Sequence, residues 1–145
     1  MRARLRKFAR LGNADRTLLL RALLIVVAIR VGLWSLPFRF LRHLAARAAE
    51  RASLHQRKNT RSIMMLARAV ETAARPIPAA TCLTQALAAQ ILLARNGHAS
   101  TLRIGVLTAN GRFKAHAWLE HAGRIVIGDV AGIGEFKPLP IQGCA

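Results

Sequence analysis

The stretch "PAATCLTQALAAQILLARNG", Pro78 to Gly97, decides how the rest of this chain is read. Just ahead of it, the two prolines of "RPIP" (Arg75 to Pro78) cannot continue a helix and enforce an extended lead-in. Thr81 then stands at the N-cap of a helix that begins at Cys82. Leu83, Leu87, Ile91 and Ala94 form an apolar stripe, Arg95 suits the C-terminal end, and Gly97 is the expected left-handed stop. A chain with only two cysteines thus places one of them in the first turn of a helix.

Beyond Gly97 the period changes from helical to two-fold. "TLRIGVLT" (Thr101 to Thr108) alternates, Asn110-Gly111 is a strong hairpin signal, and "RFKAHAWLE" (Arg112 to Glu120) returns. Ala122-Gly123 offers a second tight turn before "RIVIGD" (Arg124 to Asp129). The expected result is an antiparallel meander of three strands, followed by a glycine- and proline-punctuated loop or short edge segment. Working toward the N-terminus, Leu/Ala/Arg-rich segments predict helices over roughly 14–33, 37–54 and 59–74. The fold class is α+β. Residues 1–75 form a helical region, either part of the same domain or a small subdomain, and residues 76–145 form the cysteine-bearing core.

Composition narrows the function classes. Hydrophobic residues make up 53% of the 145, which argues against disorder. Two cysteines, one of them the penultimate residue Cys144, do not make a secreted disulfide framework, so a reducing, cytoplasmic setting is expected. The net charge of +17 should attract nucleic acid, anionic lipid or an acidic protein, unless it is simply an Arg-rich solvated surface. Near the N-terminus, Arg21 and Arg30 bracket the apolar run, leaving too few uninterrupted residues to span a bilayer. A buried or peripheral helix with arginines at its edges is expected, without stable membrane insertion.

Strand arithmetic then brings chemistry together. If Ala122-Gly123 is a two-residue loop, His121 pairs with Arg124, Leu119 with Val126, Trp118 with Ile127, and His116 with Asp129. Opposed side chains lie ~5 Å apart on one sheet face, where a carboxylate can orient an imidazole. Should the histidine face pack against the helix, Cys82 would meet His116. The positive end of a helix and a neighbouring imidazolium both favour the anionic, nucleophilic form of a thiol. Taken singly, each residue has a plainer reading: a small buried cysteine, a satisfied histidine, a turn-capping aspartate. Zinc fits poorly, since Cys82, His116 and His121 lack short paired spacing. His43 and His55 read as solvated, His98 as a loop residue, and Cys144 as incidental.

The residues "CLTQALAAQILLARNG", "LRIGV", "FKAHAWLE" and "VIGD" resemble the leader peptidase of lasso peptide biosynthesis, the B protein or its C-terminal half. Those proteins belong to the transglutaminase-like, papain-type cysteine peptidases. The resemblance is strongest from Pro76 to about Val130. It implies a Cys–His–Asp triad of Cys82, His116 and Asp129, acting through an acyl-enzyme without metal or cofactor. Trp118 is a candidate substrate contact. It further implies a precursor peptide as substrate and a leader-binding recognition-element protein as a separate chain. The ATP-dependent lasso cyclase is a further candidate partner; nucleic acid is not expected as one. The competing reading is a non-enzymatic basic module that binds nucleic acid or an acidic protein. Acyl transfer to an amine rather than to water is the enzymatic rival.

Overall fold

The computed structural model describes residues 12–54, 61–109 and 111–140. Four helices come first: α1 (Asn13–Ser35), α2 (Phe38–Leu54), α3 (Ile63–Ala74) and α4 (Cys82–Arg95). Strands β1 (Thr101–Ala109), β2 (Arg112–His121) and β3 (Arg124–Ile127) follow, then a 3-10 turn (Ile133–Glu135) and a two-residue β4 (Lys137–Pro138). The sheet is antiparallel throughout, in the order β3-β2-β1-β4. The molecule is therefore α+β. The short edge segment expected after Asp129 is β4, secured by the Leu139 N–H donating to the Ile104 carbonyl at 2.8 Å.

The central element is α4. Its sequence suggested one apolar stripe, yet Thr84 and every residue from Ala86 to Ala94 are buried. A helix apolar on all sides needs neighbours on all sides. α1, α2 and α3 pack against it together with β2. Its many alanines allow that close approach. One core cluster joins Leu18, Val26 and Ile29 of α1, Leu66 and Val70 of α3, and Leu87 and Leu93 of α4 to Leu119 and Ile127 of the sheet.

Thr81 caps α4 as its sequence predicts: its Oγ1 accepts the Thr84 N–H at 3.4 Å. That bond is long, so Thr81→Ala is expected to lower stability by only about 0.5–1 kcal/mol, measured as a small drop in urea midpoint. Ahead of the cap, Ala79 holds φ +57, a left-handed conformation uncommon for alanine. Arg30 of α1 steadies this segment by donating from Nε to the Pro78 carbonyl at 3.5 Å. At the other end, the Gly97 N–H bonds the Ala94 carbonyl and the His98 N–H that of Leu93, closing the helix.

The second hairpin turn is the two-residue loop expected, with φ +48 at Ala122 and +76 at Gly123, and His121 pairs with Arg124. The register then departs from the simple count. A bulge sets Glu120 against Ile125 but Leu119 against Ile127, so Val126 is the extra residue. The pairing of His116 with Asp129 is not formed, because every position past the bulge is displaced by one. Asn110, His55 and Cys144 lie outside the described residues.

Candidate active site

Strand alternation gives the sheet two distinct faces. Leu102 and Ile104 of β1 and Ala117 and Leu119 of β2 join the core cluster that contains α4. On the opposite parity stand His116, Trp118 and Glu120, facing Gly105 and Arg103 across β1. The histidine face is therefore not the one that packs in the core with α4, so the packing expected to bring Cys82 to His116 is not the one formed. That face is covered instead by the segment leading into β4, where Phe136 lies 5.6 Å from the His116 ring, centroid to centroid.

The order H-A-W-L-E makes physical sense on this face. Trp118, 4% exposed, stacks beside His116 at 6.3 Å with an interplanar angle of 18°. Its indole Nε1–H donates to Glu120 Oε1 at 2.9 Å. Glu120 Oε2 in turn accepts from Arg103 Nε at 3.3 Å. Glutamate thus holds the indole, and the indole backs the imidazole, so Trp118 acts here as a wall for the histidine. Gly105 leaves room for that wall: a Cβ there would stand 2.8 Å from the indole ring and 2.9 Å from Phe136 Cβ.

The His116 ring is oriented by a main-chain group. Its Nε2 lies 2.7 Å from the Gly128 carbonyl oxygen. A carbonyl can only accept, so Nε2 carries the proton and Nδ1 keeps the free lone pair. That nitrogen is the one placed to act as a base. Asp129, the next residue, is exposed. No hydrogen bond joins its carboxylate to His116 among the described residues. Beyond the end of β3 the chain meets the imidazole with the carbonyl of Gly128, not with the side chain of Asp129.

Cys82 is the first residue of α4, a half-buried free thiol that packs against the edge of the core. The Thr84 N–H goes to Thr81 Oγ1 and the Gln85 N–H to the Thr81 carbonyl. The Cys82 and Leu83 N–H groups precede those bonds and have no helical acceptor behind them, as at any helix start. The structure does not bring the thiol into a hydrogen bond with His116 among the described residues. Gln85 turns away from the thiol: its Nε2 donates to the Ala80 carbonyl at 3.2 Å.

A cleft of about 870 Å³ lies beside this region. It runs between α3, the 74–81 segment and β3, and its lining includes Thr81, Gln85, Gly128 and Asp129. Thr81, the residue before the thiol, and Gly128, whose carbonyl bonds the imidazole, both line this space, whereas Cys82 and His116 do not. β3 is an edge strand, so its outer main-chain groups border that cleft without a strand partner. Sequence reasoning placed Asp129 near the site but missed Gly128, Gly105 and Phe136. A glycine one residue before the aspartate was the available signal.

Of the remaining histidines, His98 Nε2 lies 3.1 Å from the Arg61 carbonyl and His121 Nδ1 contacts the Ala99 carbonyl. These are structural contacts around the end of α4. His43 is exposed on α2.

A cysteine opening a buried helix, a histidine on the second strand of an antiparallel sheet, and a cleft lined by neighbours of both define an α+β protein with a candidate thiol site. The chain belongs to the Transglutaminase-like superfamily, whose family model matches residues 23–140. That superfamily includes cysteine peptidases, and the match takes in α2, α3 and most of α1 as well as the sheet. No curated protein and no solved structure matches the chain significantly.

Proposed function

We propose that this protein is a cysteine peptidase that removes the leader from a lasso peptide precursor. The observation that carries the reading is the free thiol of Cys82 at the start of α4, beside a cleft lined by Thr81, Gln85, Gly128 and Asp129; Cys82 and His116 are not themselves among its lining residues. The resemblance of the C-L-x-x-A-L and H-A-W-L-E segments to lasso leader peptidases supplies the substrate class.

In this mechanism Cys82 Sγ attacks the scissile carbonyl and the Cys82 N–H stabilises the oxyanion. The mechanism requires the Cys82 thiol to come within reach of His116 Nδ1, which then takes its proton and gives it to the departing amine of the core peptide. A water, deprotonated by the same nitrogen, then attacks the thioester and releases the leader as a carboxylic acid. The Gly128 carbonyl holds the ring in register through both steps. Asp129 completes the triad by favouring the imidazolium electrostatically. An extended peptide laid along the β3 edge would reach the site through the cleft.

The test is incubation of the full chain with a precursor peptide and its recognition-element protein, followed by mass measurement. Hydrolysis adds one water across the cut; transfer to an amine would give an adduct instead and replace the peptidase reading. Asp129→Asn should leave the fold intact and lower turnover by about 10²-fold, because the developing imidazolium loses its counter-charge. A loss below about tenfold would assign the orienting work to the Gly128 carbonyl alone.

A further inference from the structure

α1 is apolar on two opposite faces, and the described residues cover only one of them. Leu18, Ala22, Ile25, Val26 and Ile29 point inward and are buried. Leu20, Leu24, Val27, Val31 and Trp34 point outward, 42–86% exposed, with Trp34 the most exposed. Their spacing of four, three, four and three residues keeps all five on one line of the helix. Single exposed apolar residues are ordinary on a protein surface, whereas a continuous stripe along a whole helix marks a contact surface.

We propose that this outer face of α1 docks the protein peripherally onto an anionic lipid bilayer, with the helix lying in the plane of the interface. By length and composition the 23-residue helix would also suffice to cross a membrane. Crossing would pull its inner face out of the core it shares with α3 and α4, so the helix lies on the bilayer rather than through it.

Charge selects the occupant. Arg21 and Arg30 flank the stripe on either side, and the chain carries a net charge of +17. Arginines at the border of an apolar face can reach lipid phosphates while their stems stay in the apolar zone. A second copy of the chain would bring the same arginines against each other, at +17 on each molecule. α2 exposes apolar residues of its own, Phe40 and Leu44 at 57% and 52%, among the exposed Arg39 and Arg47. Apolar and cationic character spread over two helices suits an extended anionic surface better than the narrow seam of one partner helix.

The experiment is co-sedimentation of the full chain with phosphatidylcholine vesicles, with and without a minority of phosphatidylglycerol. Binding is expected to the anionic vesicles and to be about tenfold or more weaker to the neutral ones. The double variant Leu24→Glu, Val31→Glu should lose binding by about tenfold or more. Its melting temperature should be unchanged, since both side chains are exposed. Should that variant fold poorly, Trp34→Ala supplies the same test with an expected several-fold loss. Equal binding by wild type and a folded stripe variant would overturn the proposal, because charge alone would then suffice. Absence of binding to anionic vesicles at low salt would also overturn it. Sedimentation of that same sample as a stripe-dependent dimer would then identify the face as a seam between copies.

Discussion

Replacing Cys82 by alanine is expected to abolish leader release, with a rate loss of at least about 10³-fold, while the protein remains folded. The side chain removed is small and half-buried at the edge of the core, so no large cavity opens beneath it. Alanine is a good helix former and the Thr81 cap does not depend on the thiol. Any loss of activity therefore reports chemistry rather than unfolding. The measurement is the rate of leader release by mass spectrometry, beside a thermal melt of the same sample. Cleavage by the variant at a rate near that of the wild type would end the peptidase proposal. The vesicle-binding proposal would survive that result, because α1 carries it independently of Cys82.

Gly128→Ala should have the largest effect on stability, and should impair activity with it. Gly128 has φ +80, where an alanine is strained by about 1–2 kcal/mol. Its added Cβ would stand 2.7 Å from the Ala117 carbonyl oxygen and 3.0 Å from Trp118 Cα. These are main-chain atoms of the neighbouring strand and cannot rotate out of the way. Overpacking of this kind adds about 1–3 kcal/mol, for a combined loss of about 3 kcal/mol. For a chain of this size the melting temperature should fall on the order of 10 °C. Relief of the clash must move either β2 or the 127–129 segment, and either movement alters the 2.7 Å bond that orients His116. Leader release should therefore fall even below the melting transition. An unchanged melting temperature would mean that Gly128 is not held where the structure places it.

The two variants probe different links of one chain of cause. Cys82 owes its position to local signals: prolines that end the preceding segment, a threonine cap, and a helix whose every face is claimed by neighbours. His116 owes its orientation to contacts from three separate places in the sequence. Trp118 backs it from its own strand, Phe136 covers it from the C-terminal segment, and Gly128 bonds it from beyond the hairpin.

This difference explains what could be read in advance. The helix over Cys82–Arg95, its Thr81 cap, the three-strand meander and the two-residue turn at Ala122-Gly123 all follow from patterns within about twenty residues. Periodicity, capping and turn chemistry act over that range, so the sequence by itself determined them. Burial around the whole of α4 was harder to see. An alanine-rich helix shows only a weak stripe until it is known that four elements surround it.

What only the tertiary structure decided is the register beyond Leu119, the face on which His116 lies, and the fate of the outer side of α1. A bulge inserts a single residue, Val126, and nothing in "RIVIGD" announces it. Its position depends on the packing of Ile127 into the core and on the close passage of Gly128 over Trp118. Side chains alternate with a period of two along a strand, so one inserted residue removes the pairing of His116 with Asp129, and the imidazole meets the Gly128 carbonyl instead. In the same way, the apolar residues of α1 looked alike in sequence. Only packing against α3 and α4 separates the five that build the core from the five left exposed.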